Sequence, residues 1–345
     1  MTLNEYLKEK TALFARCGIP EAEEEAWILF MTLTDMNKAQ IRFSSEKDLF
    51  LLFSKEKVEE FDRAFLRRSE GEPIGYICGH APFYDLEFSV GEGVLIPRFD
   101  TEILVESALI ALGVEDLPVP ESDGEIPKVA HRGKDGLRAD AQAATEAADA
   151  DPVRENAARV DAQAARGKAG GAVVILDLCT GSGCVGITIA NELRKRNIPY
   201  ELWMTEISDE AAAYAQKNAE TILGKGSFEV EITDLWPKEE LKADILVSNP
   251  PYVEEKEMAE LSREVRDHEP ALALTDGGDG LAFYRRIIGD LGKYLKDGGV
   301  FLLEHGYRQK APIREMMPEG AKNLVCVKDY GGNDRVTAGR WEVSL

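Results

Sequence analysis

From Thr2 to about Ser69, apolar side chains recur three and four positions apart, the spacing of one buried helical face. Leu3, Tyr6 and Leu7 form one such set; Ala26, Ile28, Leu29, Phe30 and Leu33 form a second; Val58, Phe61, Phe65 and Leu66 form a third. The pattern predicts a small helical domain over residues 1–70. Its texture changes between Glu72 and Pro97, where Pro73, Gly75, Gly79, Pro82, Gly91 and Gly93 punctuate short apolar stretches such as Phe83-Tyr84 and Val94-Leu95-Ile96. A β-hairpin linker over 71–98 fits that punctuation. Thr101 to Leu112 returns to helical spacing.

Residues 115–170 are rich in Ala, Asp, Glu, Arg and Gly and poor in bulky apolar side chains, so they bury too little surface to offset chain entropy. They read as an exposed, flexible insert. Beyond it the pattern alternates: apolar runs at Val173–Leu178, Glu201–Ile207, Phe228–Ile232, Ala243–Ser248 and Gly299–Glu304 are separated by helical stretches, including Asp209–Leu223 and Gly280–Leu295. Such alternation predicts an α/β domain over 99–345, a parallel sheet with helices on both faces. Asn323–Lys328 and Arg335–Val343 are joined by a short connection and should pair antiparallel at one edge.

Composition narrows the choice of partner. Asp and Glu number 63 against 41 Lys and Arg, and the net charge of −22 repels phosphate backbones and anionic membranes where no basic patch offsets it. Neither nucleic acid nor membrane is therefore expected as a direct partner. The five cysteines are scattered, with no CxxC pair and no spacing suited to zinc, so reduced thiols and no metal site are expected. The charged start of the chain and the absence of a long apolar run point to a cytoplasmic protein.

Two turns carry candidate chemistry. The apolar run Ile175 to Leu178 enters Cys179-Thr180-Gly181-Ser182-Gly183, a glycine turn that lets backbone approach a ligand closely. Gly181, Gly183 and Gly186 satisfy G-x-G-x-x-G, and Glu206 ends the next strand where a ribose-binding acid belongs. That spacing alone also suits NAD. Asp177 breaks the tie, because a carboxylate at the mouth of the turn repels a pyrophosphate but attracts the ammonium and sulfonium of S-adenosylmethionine. A turn-stabilising role for Asp177 is the plainer alternative. After the third strand, Thr233-Asp234-Leu235-Trp236 offers a polar group and an apolar wall for an adenine, with a core role for Trp236 equally open.

The second turn is Asn249-Pro250-Pro251-Tyr252, which follows the run Asp244 to Ser248 at a sheet's carboxyl edge. An amide nitrogen is a poor nucleophile, since its lone pair is delocalised into the carbonyl. The Asn249 side-chain oxygen and the Pro250 carbonyl can each accept one hydrogen of a substrate NH₂ and hold that nitrogen before a methyl donor. Tyr252 supplies a flat face for the planar group. A strong base is not required, because the methylated nitrogen sheds its proton readily.

With these residues in place, the chain resembles the HemK/PrmC family, which methylates the glutamine of the Gly-Gly-Gln tripeptide in peptide-chain release factors. The likeness extends to Glu72 to Ile77, Val94 to Arg98 with Asp100 to Glu102, and Glu264 to Arg266 with Glu269-Pro270. It also includes Asp279 to Leu281 with Phe283-Tyr284, and Asp329 to Val336. The resemblance implies a class I S-adenosylmethionine-dependent methyltransferase with a Rossmann-like, seven-stranded, mostly parallel sheet. It implies cofactor contacts at Cys179 to Gly183, Glu206, Leu235 and Asn249, a glutamine held by Asn249 to Tyr252, and class 1 release factors gripped by the helical domain. Phe99 stands where the family commonly has proline, Cys179 replaces a usual glycine, and the 115–170 insert is unusual. A ribosomal-protein glutamine or an adenine amino group offers the same planar NH₂, and an NAD oxidoreductase is the competing class that leaves Asn249 to Tyr252 idle.

Overall fold

A computed structural model describes residues 1–114, 120–129, 171–224, 226 and 228–343, which fall into two compact units. The helical unit comprises Met1–Ala81, Ser89–Glu92 and Ala259–Pro270. Its helices are α1 (Leu3–Arg16), α2 (Ala22–Thr34), α3 (Lys38–Ser44), α4 (Leu49–Leu52), α5 (Lys55–Ser69) and α6 (Ile74–Cys78). Capping boxes start α1 and α3: Thr2 pairs with Glu5 and Asn37 with Gln40, which satisfies backbone donors that the first turn leaves open. The core is aromatic, with Phe30 against Phe61 and Phe14 against Phe65, each pair 5.3 Å between centroids. Ile28 and Leu66, assigned to the buried faces by sequence, are 40% and 53% exposed. Each lies one residue, a rotation of about 100°, from the stripe that is buried, Ala26-Leu29-Phe30 and Val58-Phe61-Phe65.

The boundary expected at residue 70 falls short, because Ile74, Ile77 and Cys78 of α6 pack on this same core. Arg68 explains why residues 259–270 also join it. Its guanidinium, 4% exposed, bonds Glu25 at 2.8 Å and Glu264 at 2.9 Å. A hairpin of β1 (His80–Phe83) and β2 (Leu86–Ser89) follows, then α7 (Glu102–Ala111).

The second unit is built on β3 (Val173–Leu178), α8 (Cys184–Lys195), β4 (Tyr200–Glu206), α9 (Asp209–Leu223), β5 (Phe228–Ile232) and β6 (Ala243–Ser248). Beyond α10 (Arg263–His268), which belongs to the helical unit, come α11 (Ala271–Leu274), α12 (Ala282–Tyr294), β7 (Leu295–Glu304), α13 (Lys310–Glu315), β8 (Ala321–Lys328) and β9 (Asp334–Trp341). The sheet has seven strands in the order β5-β4-β3-β6-β7-β9-β8. Pairings from β5 to β7 are parallel, and β9 is antiparallel to both β7 and β8. Strands covered on both faces read as continuous apolar runs, which is why β6 is buried at every residue. The connections leave β3 toward β4 and β5, then return to place β6 on its other side. The carboxyl ends of β3 and β6 therefore flank the switch point where open α/β sheets take ligands.

Residues 115–119 and 130–170 of the expected insert lie outside the described residues. Residues 120–129 depart from the expectation of an exposed linker. They run along the edge strand β8, whose unpaired backbone groups bond Glu121 and Asp123, and they bury Ile126 and Val129 in the core. Among the described residues no helix is long and apolar enough to cross a membrane.

Candidate active site

The chain leaves β3 through a backbone reversal. Cys179 sits at φ 56, in the left-handed region where a side chain is strained, so a glycine would fit this position with less cost. Gly183, at φ 83, then opens α8. Asp177 braces the turn from beneath: its Oδ2 accepts the Thr180 hydroxyl at 2.6 Å and the Gly186 backbone N–H at 3.0 Å. A Cβ on Gly186 would stand 2.8 Å from that carboxylate oxygen, so the approach requires glycine. Burial pushes the Asp177 carboxyl up to about 7, against the pull of those two hydrogen bonds.

Glu206 ends β4 and closes the other side. Its Oε2 accepts from the Gly181 N–H at 2.9 Å, and its Oε1 accepts from Ile207 and Ser208 at 2.9 and 3.0 Å. The β6 end is tied to the same turn by the Ser248 hydroxyl, which donates to the Leu178 carbonyl at 2.8 Å. Asn249 follows, and its Nδ2 donates to the Thr101 hydroxyl at 3.2 Å.

These turns line one partly open cleft. Asp177, Cys179, Thr180, Gly181, Ser182 and Asn249 all face it. So do Leu95 to Arg98, Thr101, Cys184 and Val185. Sequence reasoning assigned no site role to Leu95 to Arg98 or Thr101, although the compact run Leu95-Ile96-Pro97-Arg98 was a signal. Other expected residues sit behind the surface. Gly183 is buried at the start of α8, and Pro250 and Pro251 are buried beyond Asn249. Leu235, 4% exposed at φ 78, packs with Leu176 and Leu178 while its carbonyl accepts the Thr205 hydroxyl at 2.7 Å. Trp236 stacks flat on Tyr294 at 4.1 Å, which accounts for its ring by packing.

Tyr252 is fixed through its backbone. Gln309 Nε2 donates to the Tyr252 carbonyl at 3.0 Å and to the Gly280 carbonyl at 3.2 Å. Gly280, at φ 70, lies so close that a Cβ there would run into the Tyr252 carbonyl. Burial holds the Tyr252 phenol up to about 12, so it stays neutral.

The donor set suits a cation-bearing nucleoside. Two carboxylates, Asp177 and Glu206, frame the turn, and Gly181 has open space where a Cβ would stand. This sheet, with a glycine turn after its first strand and Asn-Pro-Pro-Tyr after its fourth, defines a class I methyltransferase. Comparison with known proteins agrees: the PrmC N-terminal domain model matches residues 5–79, and the methyltransferase small domain model matches residues 168–279. A release factor glutamine methyltransferase of Fusobacterium nucleatum is 31% identical over 96% of this chain and 75% of its own length. Those of Bacillus subtilis and Haemophilus influenzae are 30% and 31% identical, over 97% and 99% of this chain and 96% and 100% of their own lengths. The chain belongs to the release factor glutamine methyltransferase family.

Proposed function

We propose that this chain is a cytoplasmic enzyme that transfers a methyl group from S-adenosylmethionine to the side-chain amide nitrogen of the glutamine in the Gly-Gly-Gln tripeptide of class 1 release factors. One observation carries the reading: Asn249, beside the glycine turn, spends its Nδ2 on Thr101 and so keeps Oδ1 for the cleft. An acceptor facing the cleft is what a substrate NH₂ needs.

S-adenosylmethionine, when bound, supplies a methyl group on a positively charged sulfur. Cys179 to Gly183, Glu206 and Asn249 would hold it, Leu235 would support the pocket from behind, and Asp177 would offer negative charge from beneath the turn. A nearby cation favours the ionised form of Asp177 and offsets the effect of its burial. Asn249 Oδ1 would accept one hydrogen of the glutamine NH₂ and the backbone carbonyl of Pro250, whose ring is buried, would accept the other, which holds the nitrogen facing the cofactor site. Tyr252 packs on the planar amide, and the helical unit grips the release factor. The charge balance of the chain disfavours nucleic acid as substrate.

The test is incubation with labelled cofactor and either a release factor or nucleic acid, followed by mass spectrometry of the Gly-Gly-Gln peptide. One added methyl on that glutamine is expected. Label on nucleic acid alone overturns the proposal.

A further inference from the structure

Glu304 is a buried carboxyl for which the chemistry above has no use. It ends β7, it is 2% exposed, and its Oε1 accepts the hydroxyl of Thr101, itself 2% exposed, at 3.1 Å. The same Thr101 oxygen accepts Nδ2 of Asn249 at 3.2 Å. Three side chains from three distant stretches thus form one chain of hydrogen bonds ending at the cleft. The strand end that carries Glu304 is pinned as well, because the Tyr284 phenol donates to the Glu304 carbonyl at 2.6 Å.

A threonine hydroxyl has a single proton. When Glu304 is ionised it can only accept, so Thr101 must give its proton to the carboxylate and offer lone pairs to Asn249. Only the NH₂ end of the Asn249 amide satisfies that offer, which turns Oδ1 toward the cleft. When Glu304 is protonated it becomes a donor. Thr101 is then free to give its proton to Asn249 Oδ1, the amide can turn end for end, and an NH₂ faces the substrate NH₂.

We propose that the charge on Glu304, transmitted through the Thr101 hydroxyl, sets which end of the Asn249 amide faces the substrate and so makes methyl transfer dependent on pH; this rests on Asn249 acting as the acceptor for the substrate amide. Glu304 and Thr101 are positioning residues, since neither replaces Asn249 at the substrate.

The surroundings of Glu304 place its titration in a useful range. Burial is the largest influence and raises the carboxyl to about 7; Asp100 adds to the rise, while Thr101, Asn249 and Arg335 on β9 oppose it. Arg335 is shared, bonding Asp329 at 2.8 Å and Asp100 at 3.4 Å. Tyr252, Tyr284 and Cys184 also lie within its field, and burial holds all three neutral. His305, the next residue, is pushed down to about 4 by burial and is neutral across the same range.

The experiment uses the full chain with Thr101→Val, Thr101→Ser and Glu304→Gln. Three readouts are needed: kcat on a release factor from pH 5.5 to 8.5 (a span of about three units around the Glu304 midpoint), cofactor affinity by calorimetry, and the side-chain ¹⁵N–¹H₂ resonances of Asn249 without substrate. In the wild type, kcat should rise through neutral pH and the Asn249 resonances should move with the same midpoint. Thr101→Val should lower kcat roughly 10- to 100-fold while cofactor affinity changes less than about threefold. Thr101→Ser should restore most of the rate, and Glu304→Gln should flatten both pH responses. The proposal is overturned if the wild type methylates glutamine while its Asn249 resonances ignore pH, or if a folded Thr101→Val keeps the wild-type rate. Should Thr101→Val fail to fold, the wild-type resonances and Glu304→Gln decide. A wild type that binds cofactor but methylates no glutamine refutes the enzymatic reading separately, because the resonance titration requires no turnover.

Discussion

Gln309 holds Tyr252 by its backbone: the glutamine Nε2 donates to the tyrosine carbonyl at 3.0 Å across 57 positions of sequence. Its Oε1 accepts from the Gly306 N–H at 2.9 Å, so one side-chain amide ties the turn after β6 to the turn after β7. Gln309→Leu would leave that carbonyl without its partner at the end of the Asn249 to Tyr252 turn. We expect a stability loss of about 1–3 kcal/mol by chemical denaturation and a fall in kcat larger than any change in cofactor affinity. A variant with wild-type kcat would show that the Tyr252 carbonyl needs no such anchor.

Asn249→Ala removes the acceptor proposed for the substrate amide and leaves the residues of the glycine turn unchanged. Turnover should fall by roughly 100-fold or more, with cofactor affinity changed far less, because the lost bond acts chiefly in the transition state. Single-turnover kinetics and calorimetry on the same preparation separate the two quantities. Equal losses in both would make Asn249 mainly a cofactor ligand.

Asp177 and Glu304 each have a folded pKa of about 7, against about 4 in an unfolded chain. Above pH 7 both are ionised in both states, and the cost of burying their charge is fully felt. As pH falls from about 7 to about 4 the folded state takes up protons that the unfolded state does not, so stability of the cofactor-free protein should rise. Each pH unit inside that window is worth about 1.4 kcal/mol per group. Urea titrations at several pH values will show the slope, and Asp177→Asn should reduce it; a flat profile would contradict the assignment.

Arg68→Met tests the helical unit. It removes the cation between Glu25 and Glu264 and leaves two carboxylates facing an apolar side chain. A loss of about 3 kcal/mol is expected, and replacing both glutamates with glutamine in the Arg68→Met background should recover part of it. Additive, independent effects in that cycle would mean the three residues do not act together.

Elements whose cause is local were legible in the sequence. The helix Asp209–Leu223 has Ser208 as its cap, and the strand Ala243–Ser248 is an uninterrupted apolar run, so their ends could be read directly. The glycine turn and Asn249, which line one cleft, were equally visible, since both are defined by contiguous residues. What escaped is held by partners far apart in sequence. Thr101 reaches Asn249 across 148 positions, Arg68 reaches Glu264 across 196, and Asp123 bonds the backbone of Cys326 across 203. Periodicity carries no information about such pairs. The antiparallel pairing of β8 and β9 was readable from their short connection, but which of the two lies inward depends on β7, and a hairpin pattern is the same either way.

That inward strand bears on how the chain matures at the ribosome. β9 emerges after both strands it separates, so β7 and β8 must leave the tunnel and wait with a strand-wide gap between them. Until the gap closes, the β7 flank presents unpaired backbone groups and buried-type side chains to water, a template for the wrong partner. A nascent chain interrupted before Asp334 would therefore lack an interior member of its sheet rather than a dispensable tail. Premature termination there should yield an aggregation-prone product, in contrast to the mild consequence of losing an edge strand.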